Sequence, residues 1–179
     1  MKKFTACAII ACCAAILAAG EIKINNTLKN SKIGADKPAG WNLNGKPELL
    51  GKGEIIQGSE KDEKAFKIVT RKNGTSFYRL TPVPAKAGDK VKISADIKGK
   101  GKATLGFYTY VGIAGYFPAV DAEKTFELTD TFKEVEFELV VKNGAKGQVC
   151  ENIRFFVRAQ ANSEVIFEDL EFEVEKANN

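Results

Sequence analysis

The chain predicts an all-β fold, two antiparallel sheets packed face to face, and three observations carry that reading. Apolar and polar residues alternate with a period of two from residue 64 onward, the pattern of strands with one face in a core and the other in water. Turn-forming clusters, "KNGT" (72–75), "AKAGDK" (85–90), "KGKGK" (98–102) and "KNGAKG" (142–147), break the alternation into short lengths. After the first twenty residues no segment shows the three-to-four spacing of a helical stripe. About nine half-solvated strands cannot bury their apolar faces singly, so they pair into a sandwich.

The opening "MKKFTACAIIACCAAILAAG" runs from Lys2 and Lys3 through an apolar stretch to small residues, the order of an export signal, with cleavage expected after Gly20. A second reading takes Ile9-Ile10-Ala11-Cys12 as a lipobox, with Cys12 lipidated and the protein anchored as a lipoprotein. The "CAAILAAG" that follows is still apolar where a tether is polar, which favours ordinary cleavage and a secreted or periplasmic product. The apolar run from Phe4 to Ala19 falls short of the ~20 residues of a bilayer span, so no membrane insertion is expected once residues 1–20 are removed. Residues 21–179 then form a single domain. Cleavage removes Cys7, Cys12 and Cys13, leaving Cys150 with no disulfide partner and expected as a buried small hydrophobe.

The stretch from Asn25 to Gly58 is less regular and reads as a short first strand followed by loops wrapping one edge. Trp41, the only tryptophan, follows the turn of "KPAGW" and is expected to pack across the sandwich edge rather than touch a ligand. In "VKISADIK" Val91, Ile93, Ala95 and Ile97 share a face, and in "EVEFELVV" Val135, Phe137 and Leu139 do. "EVIFEDLEFEVE" places Val165 and Phe167 inward and, after a shift of register at Glu168-Asp169, Leu170, Phe172 and Val174.

Charge and composition exclude several function classes. Residues 21–119 carry 18 basic and 9 acidic residues, while residues 120–179 carry 7 and 14; late strands lying beside early ones would pair these charges. The lysines are scattered, many in turns, without the clustered cationic and aromatic face that nucleic acid requires. There is no histidine, which removes Ser-His-Asp and Cys-His catalysis and the commonest zinc ligand. The acids alternate outward along strands or stand beside lysines, a poor setting for the protonated carboxyl of glycoside hydrolysis. The chain is therefore read as a non-enzyme.

"ATLGFYTYVGIAGYFP" (103–118) holds three of the four tyrosines. If Leu105 and Phe107 face the core, Tyr108 and Tyr110 lie on the outer face next to Gly106. A flat aromatic with a polar rim suits the C–H face and hydroxyls of a sugar ring. Arg158 and Gln160 of "FVRAQ" and Arg79 of "FYRL" would supply polar groups if Val157 and Leu80 face inward. The competing reading has the tyrosines covering a sheet edge. Tyr116 and Phe117 either line a loop-end site or anchor the loop.

The order of landmarks resembles carbohydrate-binding modules of the group that includes families four, nine and twenty-two. The landmarks are "INNTLKN" (24–30), "DKPAGW" (36–41), "EKAFKIV" (63–69), "KAGDKVKISADIKGKG" (86–101), "TFKEVEFELVV" (131–141) and "SEVIFEDLEFEVE" (163–175). The resemblance covers nearly the whole of residues 21–179 and implies a jelly roll of the galactose-binding-like type that binds a poly- or oligosaccharide. It also implies a structural calcium held by an acidic residue of the opening strand and an Asp of the last. Here Leu28 and Lys29 stand at the first place, and lysine cannot ligate calcium; Glu168 and Asp169 remain as weak candidates, and no cofactor is expected. The alternative function is a structural or adhesion sandwich binding a protein partner at the cell envelope, without a sugar ligand.

Overall fold

Two antiparallel sheets form the fold. The structure, a computed structural model, describes residues 21–24, 28–45 and 50–177; residues 1–20, on which the expected export signal and Cys12 fall, and residues 25–27 of the opening landmark lie outside the described residues. One sheet is ordered β11 (Lys133–Val140), β7 (Lys90–Lys100), β13 (Glu164–Glu175), β4 (Lys64–Val69) and β3 (Lys52–Gln57), with β1 (Ile22–Ile24) also paired to β13. The other is ordered β10 (Glu123–Glu127), β8 (Lys102–Val111), β12 (Asn152–Ala159), β5 (Thr75–Arg79) and β2 (Trp41–Asn44). To it β6 (Val83–Pro84) adds through β12 and β9 (Gly115–Phe117) through β8. The architecture is the expected all-β jelly roll.

The described residues hold thirteen strands where the periodicity indicated about nine. Much of the difference lies where loops were expected. Trp41–Asn44 and Lys52–Gln57 are edge strands of opposite sheets, and β1, β6 and β9 are only two or three residues long. An edge strand pairs on one side only and buries few side chains, so its sequence carries little alternation.

Inner-face residues of both sheets meet in one core that includes Val91, Ile93, Leu105, Phe107, Val157 and Phe167. Aromatic rings bridge the layers: Phe155 of β12 stacks on Phe172 of β13 at 4.2 Å, and Phe66 of β4 meets Phe77 of β5 edge-on at 4.9 Å. Trp41 is buried and lies 6.1 Å from Phe172, so it packs across the edge as its turn-then-strand context indicates. Cys150 is also buried, and burial raises its thiol pKa, only partly offset by main-chain hydrogen bonds.

Charges pair across neighbouring strands. Glu164 of β13 meets Lys67 of β4 at 2.6 Å, and Lys90 of β7 meets Glu138 of β11 at 3.1 Å; late acidic strands do lie beside early basic ones. The register of β13 against β7 shifts between Glu168 and Glu171, and Asp169 takes φ 44° there. The bulge sits at the residues where the alternation breaks.

Candidate functional site

The outer faces of the two sheets differ in chemistry, and that difference marks out the candidate site. The β11-β7-β13 face has a hollow of about 220 Å³ lined mainly by charges, among them Lys23, Lys92, Glu136 and Glu173. The β8-β12-β5 face carries aromatics instead. A cavity of about 230 Å³ there is lined by Asn44, Tyr78, Tyr108, Tyr110 and Tyr116.

The floor follows from strand phase. Leu105 and Phe107 are in the core, so Gly106, Tyr108 and Tyr110 point outward. On the neighbouring β12, Phe155 and Val157 are inward and Phe156 is outward, paired with Gly106. Tyr108 stacks on Phe156 with 4.5 Å between centroids and 20° between planes. Phe156 is 1% exposed, so the tyrosine ring covers it and forms a second layer over the sheet. The hydroxyl of Tyr108 is fixed by Asn44 Nδ2, which donates to it at 3.0 Å, and by a 3.0 Å hydrogen bond with Ser76 Oγ.

Two tyrosines stand as walls on this floor. Tyr78 meets Tyr108 at 6.4 Å and 73°, and Tyr116 meets it at 5.9 Å and 86°. Tyr116 reaches the site because β9 folds back on β8 as a short hairpin, pairing Tyr116 with Tyr110 and Phe117 with Thr109. Phe117 is buried in the core while Tyr116 is 57% exposed, so one residue of the pair anchors the loop and the other lines the slot. A larger hollow of about 400 Å³ adjoins, sharing Tyr108 and Tyr116 and adding Phe156, Glu123 and Arg158.

The sequence-derived residues fare unequally. Tyr108 and Tyr116 line the slot. Tyr110 has the expected outward phase but is only 9% exposed, a correction to its role as an open stacking surface. The Arg154 guanidinium lies 4.8 Å from its ring and Tyr116 lies 5.9 Å away, and burial raises its phenol pKa against the opposing charge of Arg154. Arg158 lies over Phe156 at 4.8 Å and pairs with Glu123 at 3.3 Å, placing it in the adjoining hollow. Gln160 is not brought to the slot; its Nε2 donates to Thr104 Oγ1 at 2.7 Å.

Arg79 is misplaced by the sequence reading. Phe77 faces the core and Leu80 is 46% exposed, so β5 is phased on Phe77, and Arg79 shares the core-side face of β5 at the strand end. There its Nη1 donates to the Thr81 carbonyl at 3.0 Å, and burial lowers its pKa. The residue that β5 sends into the site is Tyr78. Phasing "TSFYR" on its phenylalanine would have found it, and the adjacent pair Phe155-Phe156 signals that one of the two must face out. Asn44 and Arg154 carry no such signal.

Carboxylates near the slot are engaged by cations: Asp121 meets Lys142 at 2.6 Å and Glu123 meets Arg158. At the β13 bulge, Glu168 is buried and accepts from Ser59 N at 2.8 Å and Ser59 Oγ at 2.6 Å. Asp169 lines a nearby hollow with Lys29, Asp62, Glu63 and Lys64. The Lys64 ammonium donates to the carbonyls of Lys29 and Ser31 at 2.7 and 2.6 Å; with Lys29 in place of an opening-strand acid and Glu168 already accepting from Ser59, the residues at the places implied for calcium do not fit the metal.

No family model matches the sequence and no curated protein matches it. Solved structures do. The domain superposes with a TM-score of 0.54 on the CBM22-1 xylan-binding domain from Paenibacillus barcinonensis Xyn10C, at 15% identity over 87% of this chain and 95% of that one. It matches a cyclase from Fischerella sp. TAU with a TM-score of 0.58, at 10% identity, over 88% of this chain and 100% of that one. An arabinose-bound α-L-arabinofuranosidase, MgGH51, gives 0.61 at 14% identity over 87% of this chain, which spans only 26% of that enzyme. These likenesses show the fold, which carries a binding module in one case and enzymes in the others.

Proposed function

We propose that this domain binds a poly- or oligosaccharide in the tyrosine slot of the β8-β12-β5 face, as an exported module without catalytic activity. The observation that carries the reading is the flat Tyr108 ring, laid on Phe156 and flanked by Tyr78 and Tyr116 standing nearly perpendicular to it. A pyranose or furanose ring lies its C–H face on such a floor, and the walls limit it to a single ring's width. Asn44, the tyrosine hydroxyls and, next door, Arg158 and Glu123 supply donors and acceptors for the sugar's hydroxyls. The likeness to a xylan-binding domain supports this choice among the fold's uses.

Catalysis is disfavoured by the site's own chemistry. The slot is lined by phenols and an amide, and the nearby acids are held in ion pairs, whereas glycoside hydrolysis needs two carboxyl groups flanking the scissile bond.

Glycan-array binding followed by affinity electrophoresis on the selected polysaccharide, with xylan included, tests the proposal. Tyr116→Ala should cost only about 1 kcal/mol of stability, since the residue is mostly exposed but its ring packs edge-on against Tyr108 and Tyr110. It should weaken binding by at least about 1 kcal/mol through the lost wall. No retention of the parent protein on any glycan, or a Tyr116→Ala variant bound as tightly as the parent, would sink this site. Product release from the same glycans would show an enzyme instead.

A further inference from the structure

We infer that the ammonium of Lys64 is this domain's structural cation, occupying the position that the resemblance assigns to calcium, and that the fold is therefore independent of divalent metal. The hollow beside the β13 bulge has a volume of about 120 Å³, and Asp62, Glu63 and Asp169 line it with Lys29 and Lys64. Two main-chain oxygens, of Lys29 and Ser31, converge on Lys64 Nζ at 2.7 and 2.6 Å. Among the described residues no group of three acidic side chains is placed to hold a metal ion, whereas the two carbonyls do converge on one point. There a monovalent cation takes them, delivered on the chain itself.

Its effect is to hold a turn that has few other attachments. Residues 28–31 make one turn hydrogen bond, Ser31 N to the Leu28 carbonyl at 2.9 Å. Leu28 plugs into the core at 2% exposure, and Ser31 Oγ accepts from Ala39 N at 2.9 Å. Lys64 begins β4, the strand between β3 and β13, so its two hydrogen bonds tie this turn to the sheet. A charged donor makes each of them stronger than a neutral pair would. A calcium ion on these two carbonyls would have to sit about 2.3–2.6 Å from them, and the ammonium's bulk and like charge exclude it. Glu168, a family-implied ligand, is turned to Ser59 instead, and Lys29 contributes its carbonyl rather than a carboxylate.

Two consequences separate an internal cation from an ordinary surface lysine. Thermal unfolding of residues 21–179 should be unmoved by excess EDTA or by millimolar calcium, because the place is taken. Lys64→Met keeps most of the stem but removes the charge, and should melt several degrees below the parent. Lys64→Ala removes the stem as well and should melt lower still, and millimolar calcium should not restore it, because no group of three acidic side chains among the described residues is placed to hold the metal.

A parent whose melting temperature drops with EDTA would overturn the inference, since the domain would then hold a metal. So would a Lys64→Met variant as stable as the parent, or a Lys64→Ala variant that calcium restores to the parent's melting temperature.

Discussion

Tyr110 and Tyr108 occupy alternate positions of one strand and one face, yet their environments separate their roles. Tyr108 covers Phe156 and presents a face to the slot, while Tyr110 is covered by Arg154 and Tyr116. Tyr110→Ala is therefore expected to destabilise the domain by about 2–4 kcal/mol, the range of a large-to-small change at a buried site. Phe107→Ala, at 1% exposure in the core, should cost about 3–5 kcal/mol. Urea unfolding of the two variants checks both values; a Tyr110→Ala variant as stable as the parent would show that the residue's burial contributes nothing. The outward phase of both tyrosines was legible in "LGFYTYV", because Leu105 and Phe107 declare the inward face. Their difference in exposure was not, because it depends on a hairpin return and on a guanidinium from another strand.

At the scale of elements, β8 depends on Gly106. A Cβ built there would collide with the Ala122 carbonyl and approach the Glu123 backbone at 2.8 Å. The space the missing side chain leaves is used by the entry into β10, where Phe107 N donates to the Ala122 carbonyl at 3.0 Å. Gly106→Ala is expected to cost about 1–3 kcal/mol through overpacking, and because it moves Glu123 it should also disturb the partner of Arg158. Amide exchange over residues 103–127 would reveal loosened β8-β10 pairing; unchanged protection would refute the tight approach. The strands β7, β11 and β13 could be delimited from sequence because each has one face in the core and one in water. The edge strands β2 and β3 could not, and Arg79 was misassigned because "FYRL" offers two apolar residues three apart, which cannot both set a period of two.

For the whole molecule, the C-terminal end is clasped to the turn before β7 by Asp89. Its side chain is fully buried, accepting from Ala177 N, from Lys86 N and from the Lys176 ammonium, each at 3.0 Å. Burial alone would raise its pKa, but those hydrogen bonds and the Lys176 charge outweigh it and hold the carboxyl below its usual range. A carboxyl lowered in the folded state stabilises fully above its unfolded pKa of about 3.9, and the contribution is lost as pH falls through the folded value. Stability should thus fall below about pH 4. Asp89→Asn should be less stable near neutrality and show a shallower acid limb in urea midpoints measured across that range. Parallel acid limbs for parent and variant would remove Asp89 from the account.

Sequence by itself determined the class of fold, the pairing of early basic with late acidic strands, the β13 bulge at Glu168-Asp169, and the outward direction of Tyr108. These are local properties: period, turn chemistry and charge reside in consecutive residues, and a strand's phase is fixed by its own apolar set. Tertiary structure decided which outward residues meet. Tyr78, Tyr116 and Asn44 come to Tyr108 from three other strands, and Lys64 comes to the carbonyls of a turn some thirty residues earlier in the chain. Such convergence depends on strand order and on the return of short hairpins, and neither leaves a mark on the periodicity of any one segment.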